Sequence, residues 1–287
     1  MNFKEFLRVR LHRDLGDESY IVDGAPFAHM NIIGREKGML YGMFAVPLIV
    51  ELVVNEFFSS ASPYRFPPHF VLRKQEGDAI DPGDVLVELY GNGEILLKSE
   101  RVICDIVGEL SGIATHVRRR VEEVAGTGVY LSDTRKDNSL MRSARQQAVV
   151  IGGGRKHRYN LTDGILVKKT DIAVYGGICQ AIDRRLKEVR QLTKIEIEVE
   201  TLDALDEVLN DGRVDAILLD NMNLDVLREA MKRIRASNKK YLIEASGVGS
   251  LSLRDVALTG VDCISLSSLT CGVKPLNVSA VVVAHNE

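Results

Sequence analysis

From about residue 129 onward the chain repeats one unit: a short apolar run, then charged or glycine residues, then a helical pattern. The apolar runs are Val129–Ser132, Val149–Ile151, Ile165–Val167, Ile195–Val199, Ala216–Leu219, Tyr241–Glu244 and Cys263–Leu266. Helical spacing fills Ile178–Arg190, Leu202–Asn210, Leu224–Ala236 and Leu251–Thr259 between several of them. Strands joined through helices run parallel, because a hairpin cannot connect parallel neighbours, and such a sheet is covered by its own helices. The repeat therefore predicts a compact, incomplete α/β barrel. An open doubly wound sheet is the alternative. No Gly-x-Gly-x-x-Gly follows the first run to favour it, and Gly152-Gly153-Gly154 lacks that spacing.

The first hundred residues read as α+β. Phe44–Phe58 places Val46, Ile49, Val50, Val53 and Val54 on one side of a helix, with Pro47 near its start. Pro82-Gly83 marks a turn leading into a strand from Val85. A helical stretch begins near residue 96, is broken near Ser111-Gly112, and resumes through Arg118-Arg119-Arg120 to Val124. Asn277–His285 is a short β-like run that returns to the N-terminal part. The expected division is 1–110, joined by 275–287, against a barrel domain of 111–274.

Charge and cysteine usage exclude several classes. Lys and Arg number 37 against 40 Asp and Glu, a net charge of −3, so no basic surplus points to nucleic acid. The longest apolar stretch is broken by Glu51, Asn55 and Glu56, and the N-terminus carries charges from the start. Neither a membrane span nor a signal core is expected, and the expected compartment is cytoplasmic. The four cysteines show no Cys-x-x-Cys pair, and the six histidines no His-x-x-x-His pair.

Functional groups of a parallel barrel gather at the carboxyl ends of its strands. Here those ends read Asp133-Thr134-Arg135-Lys136, Gly152 through His157-Arg158, Lys168-Lys169, Glu196 and Glu198, Asp220-Asn221, Ser246-Gly247, and Ser267-Ser268. Taken singly, each charged residue is more often a solvated surface group. Their recurrence after strand upon strand points to one site. Arg135, His157, Arg158 and Lys168 form a cationic pocket suited to carboxylate or phosphate. Glu198 and Asp220 are hard oxygen ligands suited to a Mg²⁺ that also meets substrate phosphate.

These motifs together resemble the quinolinate phosphoribosyltransferase family. The resemblance is carried by Glu100-Arg101, Leu110–Thr115, Asp133–Lys136, Gly152–Arg158, Glu196–Val199, Leu219–Asn221 and Glu244–Gly247, in order and in spacing, from about residue 35 to 278. It implies an N-terminal α/β sandwich domain followed by an incomplete parallel α/β barrel, in a homodimer or higher homo-oligomer. The implied reaction transfers phosphoribose from phosphoribosyl pyrophosphate to quinolinate with decarboxylation, giving nicotinate mononucleotide, pyrophosphate and CO₂ for NAD biosynthesis. By resemblance, Arg135, His157, Arg158 and Lys168 hold quinolinate, and Arg101 reaches that pocket from the neighbouring subunit. Lys136 meets the phosphoribosyl substrate, Glu198 and Asp220 serve Mg²⁺ and the ribose, and Ser246, Gly247 and Ser267 bind phosphate. Lys169-Thr170-Asp171 and Val248 depart from the family pattern. Two other readings stand beside this one: a diverged member acting on another anionic acceptor, as in the branch tied to molybdenum uptake, and a non-catalytic dicarboxylate- or phosphate-binding protein.

Overall fold

The computed structural model describes residues 2–16, 25–57, 68–137 and 139–283. The chain divides into two compact units. One comprises 1–118, 138–153 and 272–287, the other 119–137 and 154–271.

The first unit is built on a four-stranded antiparallel sheet. Val278–Val283 pairs with Phe27–Gly34, which pairs with Val85–Asn92, which pairs with His69–Leu72. Alternate residues Met30 and Ile32 on the second strand are fully buried, as a period of two requires for a sheet with one covered face. The expected C-terminal return is this outer strand; residues 284–287 lie outside the described part. The helix expected over Phe44–Phe58 is Ala45–Phe57, with Val46, Ile49, Val50 and Val53 buried; Phe58 lies outside the described residues.

Two expectations are corrected here. The helix Gly93–Glu123 is continuous through Ser111-Gly112. Those residues serve close packing: a Cβ on Gly112 would lie 2.5 Å from the Lys274 carbonyl oxygen, and one on Gly108 would lie 2.8 Å from that of Leu276. Ser111 Oγ meanwhile bonds the backbone of Tyr41. The boundary at 110/111 therefore falls inside one helix, and 111–118 belong with the first unit. Val149–Ile151 is no strand but the end of a helix, Arg142–Ile151. Three apolar residues cannot separate the two by period alone. Ala144 and Ala148 are buried at helical spacing, and Gly152 stops the helix against Val117 and Ala114.

The second unit is a six-stranded, all-parallel sheet. Its order is Tyr130–Ser132, Cys263–Ser265, Leu242–Ser246, Ala216–Asp220, Ile195–Val199 and Ile165–Val167. Where the expected second strand would stand, one bridge joins Ser132 to Arg155, and the sheet stays open. Thr201, Asn223 and Ser252 cap the helices Leu202–Asp211, Leu224–Ala236 and Leu253–Leu258, accepting N–H groups of their first turns. The first two caps start their helices three and four residues past the strand ends, and the third follows a longer turn. Among the described residues no helix is long and apolar enough to cross a membrane.

Gly112→Ala is expected to lower unfolding stability by about 1–3 kcal/mol, the range for overpacking against fixed backbone. Gly164→Ala, whose Cβ would meet nothing closer than 3.8 Å, should leave the denaturation midpoint unchanged. Equal midpoints for both variants would refute the close-packing role.

Candidate active site

A cleft of about 430 Å³ opens at the carboxyl ends of the parallel strands. Arg135, Lys136, His157, Arg158, Lys168, Glu198, Asp220 and Ser246 all line it. Gly247 and Ser267 are not among its lining residues. Ser265 occupies the position on the last strand that was expected of Ser267, whose carbonyl instead accepts from Thr270 and Cys271. Arg101 belongs to the first unit, exposed on the long helix and 3.5 Å from Asp105.

The walls follow from the chain's local structure. Arg135 and Lys136 sit exposed on the turn after the first parallel strand. His157 and Arg158 come from the segment after the Arg155 bridge, where the His157 N–H donates to Asp133 Oδ1 at 2.6 Å. Asp133 is fully buried, so it fixes that segment from below. Arg158 donates through Nη1 to the Gly164 carbonyl at 2.8 Å. Burial, and then repulsion from the neighbouring Arg135, depress the Arg158 pKa, and both guanidinium groups line the same cleft.

Two acidic groups meet this positive wall. Glu198, Glu200 and Asp220 bring their carboxylate oxygens within 4.8 Å of one another. Burial raises the Glu198 pKa; Lys168, 3.9 Å away, opposes this, and Asp220 adds to it. Lys169 is drawn to Glu200 at 2.8 Å. Deeper in, His157 Nε2 lies 3.4 Å from Glu244 and 3.9 Å from Glu196. Burial, with Glu244 beside it, lifts Glu196 to about 7. Burial disfavours the His157 imidazolium, but the two carboxylates favour it more, so its pKa rises. Against that, the Arg158 N–H donates to His157 Nδ1 at 2.8 Å, a contact open only to an unprotonated nitrogen. Glu244 had no functional sign in the sequence beyond its place beside Ala245-Ser246-Gly247.

The rim between adjacent strands is tightly specified. Asn221 has φ 55°, rare for a residue with a side chain. Its N–H donates to the Ser246 carbonyl, and its Nδ2 to Asp220 Oδ2 at 2.7 Å. Gly247, at φ 71°, lies so close that a Cβ would be 2.9 Å from the Asn221 nitrogen. Asp220 is thus aimed by its neighbour, and Gly247 shapes the site without lining it. Asp171 also has a settled role: it accepts the Lys168 N–H at 2.9 Å and pairs with Arg185, and it does not line the cleft. Val248 is buried.

Known proteins match this chain along its length. The family model described as quinolinate phosphoribosyl transferase, C-terminal domain, matches residues 113–281. A probable carboxylating nicotinate-nucleotide pyrophosphorylase of Bacillus subtilis is 38% identical, covering 100% of this chain and 96% of its own. The Mycobacterium leprae carboxylating nicotinate-nucleotide pyrophosphorylase is 31% identical, over 96% and 95%. The crystal structure of the nicotinate-nucleotide pyrophosphorylase from Ehrlichia chaffeensis superposes with a TM-score of 0.86 at 30% identity, over 99% of both chains.

Asp171→Asn tests the cap and pair at the Lys168 turn. Burial raises the Asp171 pKa, but Arg185 and the Lys168 N–H outweigh it, so the folded value is depressed. Stability from this group is present above the ordinary Asp value, about 3.9, and is lost as pH falls through the folded value. The substitution should cost about 1–2 kcal/mol at pH 7 and progressively less below pH 4. Denaturant titrations at both pH values check this, and a pH-independent difference would contradict it.

Proposed function

The chain belongs to the quinolinate phosphoribosyltransferase family, and from that premise we propose that it transfers phosphoribose from phosphoribosyl pyrophosphate to quinolinate, releasing pyrophosphate and CO₂ and forming nicotinate mononucleotide. The observation that carries the reading is one cleft that sets paired guanidinium groups opposite paired carboxylates. A protein that only captured anions would have no use for Glu198 and Asp220 beside its cations.

In this reading Arg135, Arg158 and Lys168, with His157 between them, hold the two carboxylates of the acceptor and turn its ring nitrogen toward the ribose carbon. Fixing that approach removes much of the entropy of a bimolecular encounter. Lys136 neutralises the pyrophosphate as it leaves. Glu198 and Asp220 stabilise the positive charge that develops on the ribose. The alkylated ring is a pyridinium, so it accepts the electron pair freed when the carboxylate beside the nitrogen departs as CO₂. No enzyme nucleophile is needed.

Mg²⁺ fits the acidic cluster. Three hard oxygen donors converge, and Glu198 and Asp220 repel one another, an excess of negative charge that a divalent ion would relieve. Glu198 and Asp220 would hold it, with Glu200 within reach, and the ion would offset pyrophosphate charge when bound. The trio of His157, Glu196 and Glu244 is the poorer Mg²⁺ site, because it offers a nitrogen and Arg158 already balances Glu196. Arg101 completes the pocket of a second copy in a homodimer or higher homo-oligomer. The proposed setting is the cytoplasm, where Cys104, Cys179, Cys263 and Cys271, all free, stay reduced.

Incubation with phosphoribosyl pyrophosphate, Mg²⁺ and a panel of pyridine carboxylates, following pyrophosphate and CO₂, tests the reaction. Quinolinate should turn over, and failure with every acceptor would refute it. Glu198→Ala and Asp220→Ala should each lower kcat by about 10²-fold or more while calorimetric acceptor binding persists. Near-normal turnover in both would remove the ribose role. Mixed dimers of Arg101→Ala and Lys136→Ala chains, each inactive alone, should regain activity if Arg101 acts across the interface. Demonstrated subunit exchange without recovery would defeat that assignment.

A further inference from the structure

Glu244 is almost wholly buried at the floor of the cleft, and its Oε1 makes no well-formed hydrogen bond. A buried carboxylate oxygen left so carries a free-energy penalty, and an apolar residue would remove it. His157 Nε2 stands 3.4 Å from this oxygen, with Glu196 at 3.9 Å on the same nitrogen. The other ring nitrogen, Nδ1, accepts the N–H of Arg158. An accepting nitrogen carries no proton, so the ring proton sits on Nε2, facing the two carboxylates.

From this geometry we propose that Glu244 is a positioning residue: by taking the Nε2–H it locks the His157 ring, and through the ring's Nδ1 it sets the backbone that carries Arg158. The proposal rests on the acceptor reading given above only for its kinetic consequence. The chain of contacts is short and continuous. Asp133 holds the His157 N–H, His157 holds the Arg158 N–H, and Arg158 reaches the Gly164 carbonyl. Glu244, nearer than Glu196, faces the Nε2 edge of the ring. The 3.4 Å separation is long for a hydrogen bond and close enough for an ion pair. In consequence His157 offers the acceptor a ring edge, whereas the acceptor's carboxylates fall to the guanidinium and ammonium groups.

Glu244→Leu and Glu244→Gln separate this role from mere packing. Gln keeps an oxygen that accepts the Nε2–H; Leu keeps only the bulk. In ¹⁵N-edited NMR of the whole protein, without substrate, His157 Hε2 should resonate downfield and exchange slowly. That signal should vanish in Glu244→Leu and persist in Glu244→Gln. With substrates, Glu244→Leu should raise the acceptor KM about tenfold or more, the loss expected for a hydrogen bond to a charged group, and change the phosphoribosyl pyrophosphate KM less than about twofold. Glu244→Gln should stay within about threefold of the parent in both. The proposal is overturned if the Hε2 signal survives in Glu244→Leu, if both KM values rise together, or if Gln behaves as Leu does. The NMR arm needs no turnover, so it decides the role of Glu244 even where the proposed reaction fails.

Discussion

A parallel sheet delivers every strand's carboxyl end to the same rim, and this directionality governs everything else in the second unit. Each strand adds one or two residues to the rim before the chain turns back. Thr201 and Asn223 start their helices three and four residues past the strand ends, and Ser252 starts its helix after a longer turn, each by satisfying first-turn N–H groups. Asp220 and Ser246 sit side by side at the end of a hydrogen-bonded ladder. The opposite ends of the strands are tied as well. Asp215 accepts the Ile195 N–H and Asp262 the Ile243 N–H, so the strands are pinned at their base while their rims carry chemistry.

On that rim the charges are kept apart by where their side chains are anchored. Arg135 and Lys136 come from the turn after the first parallel strand, and Lys168 and Lys169 from the start of the helix Lys169–Tyr175, all four exposed. The carboxylates come from the strands themselves, short and half-buried. Glu196 and Glu198 alternate with buried Ile195, Ile197 and Val199, so both point to one face at two depths. The deeper one meets His157 and Glu244; the shallower one meets Asp220. One five-residue strand thus serves both the floor of the cleft and its acidic edge.

Much of this was legible in the sequence because it rests on period and spacing. Ile195-Glu196-Ile197-Glu198-Val199 alternates, and regular apolar spacing places the helices from 202 and 224. Three things escaped. Val149-Val150-Ile151 carries β-branched residues that favour strands, and only its burial at helical spacing beside Ala144 and Ala148 reveals the helix. Gly112 reads as a breaker, yet its bare Cα lets the 274–276 backbone come close. Glu244 reads as the last polar residue of an apolar strand, because nothing in a linear pattern shows that it lies against a histidine 87 positions earlier. Neighbours of that kind are set by sheet order, which the local pattern does not contain.

The helix Arg142–Ile151 has a consequence for the molecule as a whole. The chain passes from the first unit to the second after residue 118, returns for 138–153, leaves again, and comes back from 272. Neither unit is a single stretch of polypeptide, so neither could be cut out, exchanged with a relative's or made as a separate fragment by choosing two end points. The two halves are separate in their cores yet inseparable in their covalent path, like two fabrics stitched by one thread.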